Sequence, residues 1–146
     1  MHPEVCRFVA FAALAVSSCV ASSMQPSDLT SSTDALIRAL QQQGATVTRA
    51  GTLSQSAHPF FSVNAQIIQV NGADVQVFEY PSATRADSDS AKVSPTGSPI
   101  GQSQISWMDT PNFYKRDRLV VLYVGHSVDV MKPLEAILGP PFAAGR

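Results

Sequence analysis

Cysteine is scarce in this 146-residue chain, and the two that occur, Cys6 and Cys19, both sit near its start. No disulfide can therefore staple whatever folds beyond residue 30, which must hold together by packing alone. An excess of one charge is missing as well: 10 Lys+Arg face 11 Asp+Glu, for a formal net charge of -1. That balance gives no basis for a phosphate-backbone binder, and no nucleic-acid partner is expected. No apolar run approaches the roughly 20 residues of a membrane-spanning helix. No glycine-rich phosphate loop occurs either. What remains is 45% hydrophobic, too apolar for a disordered polymer, and long enough for a single modest core.

The first residues read as an export address. Arg7 precedes an unbroken apolar run from Phe8 to Val16, and small residues follow at once. Such a run suits a secretory signal, whose core spans about 7–15 residues. Cleavage near Ala21 or Ser22 gives a plain secreted protein. The segment Val16-Ser17-Ser18-Cys19, however, resembles the lipobox of bacterial lipoproteins. That resemblance implies cleavage before Cys19, a diacylglycerol thioether on its sulfur and a mature chain that starts there. Removing Glu4 and Arg7 takes away one charge of each sign, so the mature net charge is unchanged. Attraction to anionic lipid then adds little, and anchoring must come from acyl chains, at about 0.8 kcal/mol per buried methylene. Val20, where common inner-membrane retention signals carry Asp, resembles outer-membrane sorting. Residues 1–18 are thus expected to be a signal peptide, 19–33 a lipidated flexible tether rich in Ser, Thr and Gln, and 34–146 one domain.

Within that domain the pattern predicts a first helix over Asp34 to Gln43, with Leu36, Ile37 and Leu40 on one stripe, Ser32 or Thr33 as cap and Gly44 as stop. A strand is expected from Ala45 to Leu53. Asn71-Gly72, set between FFSVNAQIIQV and ADVQVFEY, is a strong two-residue hairpin signal. It predicts that Val70 faces Ala73, Ile68 faces Val75, Ala65 faces Phe78 and Val63 faces Tyr80. Apolar pairs then fall on both faces, so the hairpin should be central, and covered on both sides or bulged. A short helix capped by Ser82 is expected to reach Lys92. Strand pieces are expected at Ile105 to Met108 and Phe113-Tyr114, a charged turn at Lys115 to Arg118, and a buried strand from Leu119 to Val124. Ser127 is a plausible cap for a last helix, in which Pro133 is awkward unless the helix begins late. The expected class is α+β: an antiparallel sheet of about four to five strands with helices packed mainly on one face.

Three chemistries are suggested and each is incomplete. Gly125-His126-Ser127-Val128-Asp129 nearly matches the G-x-S-x-G nucleophile elbow and has strand before and helix after. Asp129 replaces the second glycine, though, and no histidine follows Ser127. A helix cap accounts for the same serine. Asp87-Ser88-Asp89 begins like a calcium loop, but Lys92 and Ser98 stand where Gly and Glu are needed, so a solvated helix face is expected. His58 and His126 are far apart with no cysteine nearby, and neither a metal nor a cofactor is expected. Trp107 to Arg118 is the candidate binding surface. It sets Trp107, Phe113 and Tyr114 beside Lys115, Arg116 and Arg118, a mixture suited to an anionic glycan, a lipid head group or an envelope protein. A hairpin with its aromatics in the core explains the same residues.

The C-terminal segment PNFYKRDRLVVLYVGHSVDVMKPLEAILGPPFA, with VNGADVQVFEY, resembles small uncharacterised bacterial lipoproteins that share an FY-turn-LIVLYVG-helix-LGPPFA ending. The resemblance covers about half of the mature chain and implies compartment and fold, with no activity to transfer. Many such proteins carry His where this chain has Asn112. The expectation is a lipid-anchored, non-catalytic binding domain facing the extracytoplasmic side of a bacterial envelope. The rivals are a small envelope hydrolase using Ser127 with His126 or His58, a secreted soluble domain, and a spacer without a ligand.

Overall fold

The computed structural model describes residues 31–57 and 59–146. The signal segment, Cys19, the tether up to residue 30 and His58 lie outside the described residues.

Helix α1 (Thr33–Gln42) starts at Ser32, whose hydroxyl accepts a hydrogen bond from the Ala35 N–H at 3.2 Å. Asp34 adds a favourable charge in the first turn. Strand β1 (Val47–Leu53) then leads to β2 (Ala65–Val70) and β3 (Ala73–Glu79). Asn71 and Gly72, with φ of 51° and 85°, close the β2–β3 hairpin in the left-handed conformation that two-residue hairpin turns require. The register is the expected one at Val70↔Ala73, Ile68↔Val75 and Ala65↔Phe78. The ladder ends there: Val63 does not pair with Tyr80, whose N–H turns to the Arg118 carbonyl instead.

Helix α2 (Ala83–Ser90) is capped by Ser82 and stops short of Lys92. Residues 105–108, expected as strand, are irregular. Strand β4 is the single run Pro111–Arg116, since proline is tolerated at a strand's first position. Asp117, with φ of 49°, turns the chain into β5 (Leu119–Val124). Helix α3 (Val128–Leu138) keeps Pro133 inside it. Pro133 has no N–H for the Asp129 carbonyl one turn earlier. The Asn71 side-chain amide supplies the missing donor at 2.8 Å, while the Asn71 amide oxygen accepts from the Thr46 N–H at 2.9 Å. One hairpin residue thus binds the start of β1 to the first turn of α3. Strand β6 (Ala143–Ala144) completes the sheet.

All six strands pair antiparallel in the order β1-β2-β3-β5-β4-β6, with an irregular register in β1 between Arg49 and Gly51. The fold is α+β, and the strand beyond the expected five is the two-residue β6. Helices α1 and α3 pack on one face, through Leu36, Leu40, Val130 and Leu134 against Ile68, Val75 and Val121. The other face carries α2 and the irregular segments on either side of it. There Phe61, Ala86, Val93 and Ile100 pack on Phe78, Val120 and Phe113. Cover on both faces explains why Leu119 to Tyr123 are buried without interruption.

The domain begins earlier than its sequence suggests. Arg118 Nε donates to the Ser31 carbonyl at 2.7 Å, and Glu79 accepts from both the N–H and the hydroxyl of Thr33 at 3.0 and 2.9 Å. Arg118 and Glu79 also pair with each other at 3.3 Å. Residues 31–33 are therefore held in the fold rather than lying in a tether.

Candidate functional site

The cover on the α2 face is uneven, and the cross-strand register shows where it fails. The row Ala65–Phe78–Val120 is buried throughout beneath Phe61, Val93 and Ile100. One row further along, Ile67 pairs with Gln76 and Gln76 with Leu122. Ile67 and Gln76 are only half-buried, as is Val124 at the end of β5. A cleft of about 380 Å³ opens here, lined by Asp74, Gln76, Asp109, Val124, His126 and Ser127 among others. Beside it lies an apolar recess of about 430 Å³ formed by Phe60, Ile105, Trp107, Met108 and Val124 with their neighbours. Val124 belongs to both. Met108 is fully exposed (102%), so its thioether packs against none of the described residues.

The β5–α3 crossing gives the cleft its rim. Gly125, at φ 151°, donates its N–H to the Thr110 carbonyl at 2.8 Å. The buried Asn112 amide donates to the carbonyls of Gly125 at 2.8 Å and Thr110 at 3.2 Å. This asparagine is a buried brace between the two chain segments. The Ser127 N–H donates to the Tyr123 hydroxyl at 3.3 Å. Both His126 and Asp109 stand in solvent, with His126 Nδ1 3.3 Å from an Asp109 oxygen. The Thr110 N–H, and then His126, hold the Asp109 carboxyl below the usual carboxylate range. Gln76 Oε1 is buried without a hydrogen-bond partner.

Among the described residues, Ser127 and His126 do not form the elbow pair. Ser127 occupies the N-cap position of α3, yet its hydroxyl makes no cap bond, which corrects the sequence expectation. Its φ of -69° and ψ of 119° are ordinary extended backbone, whereas a nucleophile elbow holds its serine strained. The strained residue here is Gly125. His126 turns to Asp109, and no hydrogen bond joins it to the Ser127 hydroxyl.

The residues of the Trp107–Arg118 segment are pulled apart. Phe113 and Tyr114 are fully buried on opposite faces of β4, and neither reaches the surface. Burial, and secondarily the charge of Glu135, raises the Tyr114 hydroxyl's pKa well above the ordinary value. Lys115 pairs with Asp87 at 2.5 Å, Arg116 donates to the Ile137 carbonyl, and Arg118 holds Ser31 and Glu79. These cations close the far end of the sheet. Trp107 alone of the six lines a recess, edge-on to Phe113 with its indole N–H on the Gly97 carbonyl at 2.9 Å.

Of Asp87-Ser88-Asp89, Asp87 and Ser88 are solvent-exposed as expected, while Asp89 turns inward. Asp89 is 4% exposed and takes hydrogen bonds from the Ser62 N–H and hydroxyl, both at 2.7 Å, and from Lys92 at 2.6 Å. Among the described residues no group of His, Cys, Asp and Glu could hold a metal, and no helix is long and apolar enough to cross a membrane.

Asp74, Gln76, Phe60 and Met108 went unread as site residues. Only Gln76 left a trace in the sequence, as a polar residue in a strand that both faces need apolar. No family model matches the chain, and neither a curated protein nor a solved structure shows significant similarity to it.

Proposed function

We propose that this chain is an exported, lipid-anchored domain that acts as a non-catalytic binding module of a bacterial envelope. One observation carries the binding part: the cleft and recess lie at the Val124 end of β5, while Ser31 and Thr33 are fixed by Arg118 and Glu79 at the Leu119 end. Five residue steps separate the two ends, about 17 Å along a strand. A chain acylated at Cys19 thus enters the fold at one end and presents its open surface at the other. The lipobox-like Val16 to Cys19 supports the anchor. The unstrained Ser127 and a His126 engaged elsewhere support binding over hydrolysis.

Once Cys19 carries lipid and Cys6 is removed, no free thiol remains, so one introduced cysteine labels uniquely. A fluorophore at Met108→Cys should lie farther from a rhodamine-lipid surface than one at Thr84→Cys, on the first turn of α2. Energy transfer should be weaker from position 108. Equal transfer, or stronger transfer from position 108, overturns the orientation.

A further inference from the structure

Resting on that binding reading, we propose that the paired cleft and recess take a protein segment that sets a basic side chain beside an apolar one. The recess offers an apolar wall of Phe60, Ile105 and Trp107, with Met108 projecting from its edge. Methionine without packing partners adapts to the shape of an incoming side chain. The adjoining cleft carries the carboxylates of Asp74 and Asp109, and neither lining includes a lysine or arginine. Among the described residues its sole cationic candidate, His126, lies against Asp109. Arg146 lines a separate recess, on the side of Thr96, Trp107 and Pro111, to which Asp109 also belongs.

Gln76 supplies an independent mark. Its side chain lies on the floor of the cleft and keeps a buried amide oxygen without a donor, an arrangement that native proteins seldom leave unexplained. A guanidinium has five N–H donors and can serve a carboxylate and an amide oxygen together. Shared Val124 makes the two sites one surface, so a basic residue at Asp74 and Asp109 places its apolar neighbour against Trp107. A fatty acyl chain would fit the recess but leave the carboxylates facing its own head group. A second copy docked cleft to cleft would bring Asp74 and Asp109 against the same carboxylates.

Trp107 is the chain's one tryptophan, so 5-fluorotryptophan labelling of the full chain yields a single ¹⁹F reporter in the recess. The probes are an acetylated Leu-Arg-Leu amide and its Leu-Glu-Leu counterpart, taken to about 10 mM because short peptides hold few contacts. The arginine peptide should move the resonance, and the glutamate peptide should bind at least about tenfold more weakly at low salt. Asp74→Asn with Asp109→Asn should remove that preference. Met108→Ser, at a position that contributes no packing, should weaken the arginine peptide while leaving the unfolding temperature unchanged. No response to either peptide overturns the proposal, as does equal binding of both. A resonance that moves with dodecanoate alone overturns it in favour of lipid, and one that moves with protein concentration alone overturns it in favour of self-association. The anchor plays no part in this titration: a secreted chain that binds the peptide refutes only the anchor, and an acylated chain that ignores it refutes only the cleft.

Discussion

Removing the side-chain amide of Asn71 should cost more when residue 133 is proline than when it is alanine. Asn71 makes two side-chain hydrogen bonds, from the Thr46 N–H at 2.9 Å and to the Asp129 carbonyl at 2.8 Å. Both lie at the surface, so each contributes in the lower part of the usual range, about 0.5–1 kcal/mol. Asn71→Gly keeps the left-handed turn at φ 51° and loses both bonds, which predicts a loss of about 1.5 kcal/mol. Pro133→Ala restores an N–H that can reach the Asp129 carbonyl along the helix. In that background only the Thr46 bond is missed, and the loss should fall to about 0.7 kcal/mol. The coupling between positions 71 and 133 is then about 0.8 kcal/mol, or about 3 °C in Tm. Urea unfolding followed by far-ultraviolet circular dichroism on all four chains completes the cycle. A coupling under about 0.3 kcal/mol would mean that the asparagine does not stand in for the missing helix donor.

Asp89→Asn should destabilise the domain by about 2 kcal/mol at neutral pH, since a buried acceptor held by Ser62 and Lys92 is weakened. Burial alone would raise the Asp89 pKa, but the Lys92 and Ser62 hydrogen bonds outweigh it and hold the carboxyl below its ordinary value. Its contribution is therefore complete above an unfolded-state pKa of about 3.9 and is lost as pH falls through the lower folded value. Urea midpoints from pH 7 to pH 3 should drop more steeply below about pH 4 in the parent than in Asp89→Asn. Gly125→Ala meets strained backbone and places a Cβ 2.5 Å from the Tyr123 hydroxyl, so calorimetry should show a loss of about 2 kcal/mol or more. Ser127→Ala should leave stability within about 0.5 kcal/mol, where loss of a working N-cap costs about 1 kcal/mol. A fluorophosphonate probe should leave Ser127 unlabelled, and labelling abolished by Ser127→Ala would restore the hydrolase reading.

Local signals were the legible ones. Asn71-Gly72 declares its own turn because few residues accept positive φ, and the alternating residues on each side then set the register. Ser32 and Ser82 announce α1 and α2 by cap chemistry that reaches only three residues. Pro133 misled because its compensation comes from Asn71, 62 positions earlier, and no local rule connects the two. The cations Lys115, Arg116 and Arg118 looked like a surface, but their partners Asp87, Ile137, Ser31 and Glu79 come from four other parts of the chain. The cleft was the least legible feature. It exists because irregular segments cover one row of the sheet fully and leave the next half-covered at Ile67 and Gln76, and coverage by irregular chain has no period to read. Gln76, a polar residue amid the valines and phenylalanine of β3, was the one trace there, and it went unread.

The intact mass of the mature protein extracted from its native membrane tests the central claim most directly. A chain that begins at Cys19 and carries added acyl mass is the predicted result, and it places the domain at the membrane surface. A chain that begins at Ser22 or Ser23 without lipid would contradict it, and the domain would then be a freely diffusing secreted protein.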